Sequence, residues 1–148
     1  MAAEPKPKSN YPLEEATIGD THTAMKAGQV TARGLVEAYC ARIAAYDQQG
    51  PTLNSVVTVN GAATERADEL DASFASTGEF SGPLHGMPIL VKDNVETKSM
   101  PTTQGTIGLA DFQPTSNATV IDKLEAAGAI ILGKTTLPDF ATSWWAYS

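Results

Sequence analysis

The chain has 148 residues, 42% of them hydrophobic and 18% charged, with a net charge of −7 at neutral pH. That is enough chain for one domain with a buried core, and the composition is that of a soluble globular protein. The acidic balance, with Lys and Arg scattered along the chain, argues against nucleic acid or an anionic membrane as the main partner, since both select basic faces.

Residues 1–15 carry Pro5, Pro7 and Pro12 among polar residues and read as a flexible lead-in to a domain over 16–148. The N-terminus has no apolar core of a secretory signal, and no stretch approaches the roughly 18 apolar residues of a membrane span. Cys40 is the only cysteine, so neither an internal disulfide nor a cysteine-based metal site can form, and the default reading is a reduced, cytoplasmic protein.

A short helix is predicted over Ile18 to Lys26, stopped by Gly28. A stronger one covers Ala32 to Asp47, where Leu35, Val36, Tyr39, Cys40 and Ile43 form one apolar stripe. Thr31 is its expected N-cap, although Gly34 stands where a capping box would place Glu. Cys40 lies on the stripe and is expected to pack, not to react.

Gly50-Pro51 ends that unit, and Asn54 to Val59 suits a strand. Ala62 to Phe74 reads as a helix with a solvated charged face, Gly78 to Gly82 as a linker, and Pro88 to Val91 as a second strand. Met100 to Gly108, rich in Thr, Gly and Gln, is a loop. Asn117 to Ala127 is a helix with Val120, Ile121 and Leu124 on its apolar face and Gly128 as its stop. Ala129 to Leu132 is a short buried strand. The alternation implies an α/β fold with a largely parallel sheet covered by helices.

Two motifs fail on inspection. Gly128-x-x-x-x-Gly133-Lys134-Thr135 matches a phosphate-binding loop formally, but a helix precedes the first glycine and the intervening residues are the strand. Pro138 then sits where a helix should propagate. His22 and His85 have no carboxylate at metal-ligand spacing, so no metal site is expected, and His85, between two turns, is expected to bond the loop backbone. No Gly-x-Ser-x-Gly elbow is present to expose a serine.

The stretch Gly82 to Asn94 (Gly-Pro-Leu-His-Gly-Met-Pro-Ile-Leu-Val-Lys-Asp-Asn) carries more chemistry. Two turns lead into an apolar run that delivers Lys92 to its end. A lysine so placed can serve as a base if burial depresses its pKa from about 10.4. The bland alternative is a solvated turn with a weak local ion pair.

That stretch is followed by Pro101-Thr102-Thr103-Gln104-Gly105-Thr106, and then by Ala127-Gly128-Ala129-Ile130-Ile131-Leu132-Gly133-Lys134-Thr135-Thr136-Leu137. In this order the pieces resemble the amidase signature family, from about residue 16 to the last. The resemblance implies the N-terminal part of that family's fold, with a mixed, largely parallel and incomplete sheet, and hydrolysis of carbon–nitrogen amide bonds by a Ser–cis-Ser–Lys triad. Lys92 matches the family's lysine base, neutral in the resting enzyme. Asp93 would orient the loop beside it, and Thr102, Thr103 and Gly105 would belong to the active-site loop. The substrate would be a small-molecule amide, with no cofactor and no metal.

The family's Gly/Ser-rich segment, which holds both serines and the oxyanion turn, has no counterpart here, and neither Ser143 nor Ser148 sits in a Gly-rich turn. Thr106 and Thr136 replace residues commonly serine and asparagine. The expectation is a fragment that carries the lysine but no nucleophile and is inactive alone. The aromatic cluster Trp144, Trp145 and Tyr147 and the uncovered sheet would leave it poorly soluble or partly ordered. Two alternatives remain: an interaction or regulatory domain with a structural Lys-Asp, and, within the family, a protein like the amidotransferase subunit that acts on charged tRNA.

Overall fold

The computed structural model describes residues 11–142. Its elements run α1 (Ile18–Lys26), α2 (Ala32–Arg42), β1 (Val56–Val59), α3 (Ala63–Thr77), β2 (Pro88–Lys92), α4 (Thr119–Ala126) and β3 (Ile130–Thr135). Every predicted helix and strand is present, with ends moved by a few residues. Among the described residues no helix is long and apolar enough to cross a membrane.

The helix starts follow local chemistry. The Thr17 side chain accepts from the Asp20 amide at 3.1 Å, and that of Thr31 from the Gly34 amide at 3.0 Å. Without a glutamate to complete a capping box, α2 takes a second cap from another element. The Asp71 carboxylate of α3 accepts from the Ala32 and Arg33 amides at 2.8 and 3.0 Å, placing a negative charge at the positive end of the α2 dipole.

The predicted single helix to Asp47 widens into a π-type turn over Ile43–Asp47. Buried Asp47 explains the change. Its carboxylate accepts from the Ser55 amide (2.7 Å), the Ser55 hydroxyl (2.5 Å) and the Val56 amide (3.2 Å), so the helix end is drawn onto the start of β1. Those donors hold its pKa below the usual carboxylate range, the Ser55 hydroxyl most of all. Cys40 is half-buried on the stripe, and burial pushes its thiol pKa up, which suits packing.

The sheet order is β1-β3-β2. β2 and β3 are parallel, with Val91 opposite Lys134 and Lys92 opposite Thr135, whereas β1 joins β3 antiparallel. The sheet is therefore mixed, parallel on one side of its central strand only. β3 runs past the apolar tetrapeptide to include Gly133, Lys134 and Thr135, so the phosphate-loop match lies within a hydrogen-bonded strand and has no amides to spare for phosphate.

Alternate side chains of β3 serve opposite faces. Ile130 and Leu132 join the larger core with Leu35 and Val36 of α2 and Ala67 and Leu70 of α3. Ile131 joins Ile121 of α4 and Met100. Val120, expected on the inner face of α4, is 52% exposed, and Ile121 and Leu124 make the contact instead. The last part of the expected lead-in is docked: Tyr11 and Leu13 pack on the larger core, and the Tyr11 hydroxyl bonds that of Thr21 at 2.9 Å. The expected terminal aromatic cluster lies outside the described residues.

The turn that introduces β2 is locked to the turn that introduces β3. The Leu84 amide donates to the Ala127 carbonyl and the Gly86 amide to the Gly128 carbonyl, each at 2.9 Å, and Ile130 donates to Met87 at 2.9 Å. Gly128 has φ +93°, and a Cβ there would lie 2.7 Å from the His85 Cα. Gly128→Ala should lower the unfolding free energy by about 2 kcal/mol or more, from a positive φ and a backbone clash together, as read by urea denaturation.

His85 closes this turn. It is buried, stacks on Phe80 with centroids 4.8 Å apart, and its Nδ1 accepts from the Ser81 amide at 3.2 Å, which leaves the ring proton on Nε2. The predicted bond to loop backbone is thus formed. Its carbonyl also accepts from His22 Nε2 at 3.0 Å. Burial lowers the His85 pKa, and His22 and Arg66 add to that against Asp71. The folded ring thus takes up a proton less readily than the unfolded one, so its stability contribution is complete above the ordinary value near 6.5 and falls as pH drops below it. The midpoint of urea unfolding should decline between about pH 7 and 5.5, and His85→Gln should weaken that dependence.

Candidate functional site

In a parallel pair with its crossover helix, functional groups gather beyond the carboxyl ends of the strands. Here β2 ends on Lys92 and β3 on Thr135, and the segments leaving them meet. The Lys92 Nζ donates across the pair to the Thr136 carbonyl at 2.6 Å. Its side chain is exposed, not enclosed in the dry niche that a resting neutral base requires. The reason is topological: β2 is an edge strand, and no described element covers its free side.

Asp93, the next residue, turns inward and is 1% exposed. Its amide donates to the Thr135 carbonyl at 3.1 Å, and its carboxylate accepts from the Thr103 amide at 3.2 Å and from the Thr103 hydroxyl. Its own carbonyl accepts from the Gln104 amide at 3.1 Å. Asp93 therefore holds the Thr-Gly loop against the end of β2. Lys92, Asp93, Thr102, Thr103 and Gly105, grouped by the family resemblance, lie around this one junction.

The loop is held from its other side too. Gln104 and Gly105 have φ of +54° and +73°. A Cβ on Gly105 would lie 2.4 Å from the Leu137 carbonyl oxygen, and the Gln104 carbonyl accepts from the Phe140 amide at 2.9 Å. Phe140 and Ala141 are themselves left-handed, at φ +50° and +56°. Positive φ in non-glycine residues is uncommon and gathers at functional loops.

Sequence reasoning missed Lys134. It sits inside β3 at 0% exposure, the largest fully buried side chain among the described residues. Its Nζ donates to the Val95 carbonyl at 2.7 Å and the Thr102 hydroxyl at 2.8 Å, and lies 3.7 Å from Asp93 Oδ1. Burial lowers its pKa, while Asp93 works to raise it. No local signal marked it: β3 lies in the middle of the sheet only through pairing with distant segments, and there a lysine has both faces of the sheet around it and needs a partner.

Among the described residues no three His, Cys, Asp or Glu side chains converge as metal ligands. A cavity of about 590 Å³ is lined by Tyr39, Tyr46, Leu53, Val56 and Leu90, with Arg42, Asp47 and Ser55 among its polar residues. None of the junction residues reaches it. Removing the carboxylate at the junction should be costly. Asp93→Ala strands a buried ammonium and should reduce the unfolding free energy by about 3 kcal/mol or more in urea melts.

A family described as Amidase matches residues 34–146. Mandelamide hydrolase of Pseudomonas putida is 38% identical over 130 residues, covering 87% of this chain and 25% of the relative. A glutamyl-tRNA(Gln) amidotransferase subunit of Chloroflexus aurantiacus is 39% identical over 129 residues, covering 87% of this chain and 26% of its own length. Among solved structures, native peptide amidase from Stenotrophomonas maltophilia superposes with a TM-score of 0.85 at 37% identity, covering 91% of this chain and 29% of that one. An amidase family protein from Bacillus anthracis gives 0.80 at 37%, covering 86% and 25%. The chain spans about a quarter of the length of the curated relatives it matches.

Proposed function

The chain belongs to the amidase family, and on that footing we propose that it forms the N-terminal part of an amide hydrolase in which Lys92 is the general base. The supporting observation is the junction at the carboxyl ends of β2 and β3. Lys92 stands there with its amine at the mouth, steadied by the Thr136 carbonyl, while Asp93 fixes the chain just after it.

In this reading a serine oxygen attacks the amide carbonyl carbon, and its proton passes through a bridging serine to Lys92. The C–N bond then breaks, the leaving amine takes that proton, and water releases the acyl group from the serine. Serine is a weak nucleophile without a base beside it, and an amine is a base only when neutral. Removal from water disfavours a charged amine, so the part of the enzyme that brings the serines must also cover Lys92. Exposure of Lys92 in the described residues leaves that approach open.

In this reading the serines and their Gly-rich turn lie outside these 148 residues. The serine-bearing part would come from the remaining three quarters of an enzyme of the relatives' size, and the substrate would be a small-molecule amide. A second reading follows from relatives named as glutamyl-tRNA(Gln) amidotransferase subunits with similar levels of identity: the full protein would act in an amidotransferase on charged tRNA.

The purified 148-residue chain should show no turnover of simple aryl or aliphatic amides, and measurable hydrolysis would overturn the missing-nucleophile argument. In the longer enzyme, Lys92→Ala should lower kcat by roughly 10²–10⁴-fold, the usual worth of a positioned base, with little change in KM. Unchanged kcat would leave the Lys-Asp pair a structural element of a non-catalytic domain.

A further inference from the structure

We propose that Lys134 is a positioning residue for Lys92: from the centre of the sheet it ties together the two ends of the segment that follows the base. The proposal rests on Lys92 being that base, and it assigns to Lys134 a role that the phosphate-loop match in its own sequence does not suggest.

The geometry is specific. The Val95 amide donates to the Lys92 carbonyl at 3.0 Å, closing a turn directly after Lys92, and the Val95 carbonyl then accepts from the Lys134 Nζ at 2.7 Å. The Thr102 hydroxyl, at the far end of the same segment, accepts from the same nitrogen at 2.8 Å. Asp93 lies 3.7 Å from that nitrogen and carries the Thr103 amide and hydroxyl on its carboxylate. One ammonium thus holds a turn, a loop base and the carboxylate between them. All its donors point at residues 93–102, and none at α2 or α3. Lys134, Asp93 and Thr102 are each 0–1% exposed, so water cannot substitute for a lost partner.

A general structural role and a positioning role differ in where the damage falls. The proposed experiment measures amide hydrogen exchange by segment, together with the rate at which acetic anhydride labels the Lys92 amine at fixed pH, read by mass spectrometry. Three variants are compared with the parent: Lys134→Met, Thr102→Val, and Asp93→Asn combined with Lys134→Met.

Lys134→Met should reduce protection over residues 93–105 by about tenfold or more, equivalent to one lost buried hydrogen bond, and change the Lys92 labelling rate. Segments 32–42 and 63–77 should keep their protection. The double variant neutralises the stranded carboxylate. It should regain resistance to urea without regaining protection over 93–105, whereas a merely structural pair would regain both together. Should Lys134→Met fail to fold, Thr102→Val, which removes a single acceptor, should still loosen 93–105 selectively.

Unchanged protection there in Thr102→Val, or a loss spread evenly over α2 and α3 in Lys134→Met, overturns the proposal. None of these readouts uses turnover. A failure of Lys92 as the base therefore shows in the kinetics of its own substitution, and a failure of Lys134 to position it shows here.

Discussion

The junction is organised by a single charge that has been taken out of water. Lys134 lies in the middle strand with helices on both sides of the sheet, where an unpaired ammonium would cost several kcal/mol. Among the described residues its partners are those that leave β2, so the path of the chain after Lys92 is set by the need to satisfy it. Asp93 must turn inward, and the Val95 carbonyl and the Thr102 hydroxyl must face the same nitrogen. Once Asp93 is committed it fixes Thr103 and Gln104, and these in turn receive the backbone of residues 137–140. The exposed amine of Lys92 is the outward end of an arrangement whose inner end is dry.

The two lysines also show where reading the chain alone works and where it stops. The helix expected over Ile18 to Lys26 with Gly28 as its stop matches α1 to the residue, and the structure adds its Thr17 cap. The loop that holds Thr102, Thr103 and Gly105 was legible from its Thr, Gly and Gln content. The dry lysine was assigned to position 92, at the end of an apolar run, whereas burial falls on position 134. Which strand lies in the middle of a sheet is a property of pairing between distant segments. Ala129–Leu132 and Pro88–Val91 look equally apolar, and nothing local says that the first has neighbours on both sides. Setting aside the phosphate-loop match, most of whose residues the structure places in a strand, removed from view a lysine whose conspicuous setting had another cause.

A similar limit applies to Asp47 and Asp71. Asp47 stands at the predicted end of a helix, and Asp71 lies on the helix face read as solvated. One draws a helix end onto a strand, and the other caps a helix 38 residues away in sequence. Each satisfies backbone amides that have no intrahelical partner, and the identity of those amides depends on tertiary contact. The comparisons add the family over residues 34–146 and a shared fold with peptide amidase, and the junction supplies a physical reason for the Lys-Asp pair to sit where it does.

The interlocked turns before β2 and β3 carry a consequence for how such a chain can change over time. Main chain passes main chain so closely at Gly82 and Gly128 that a single methyl group has no room. A residue gained or lost in either turn would shift the two parallel strands past each other and carry the amine of Lys92 off its carbonyl. Length variation among descendants of this sequence is therefore confined to stretches away from that crossing. The bend near Gly78, where α3 has ended and a Cβ would meet nothing within 4 Å, is one such place.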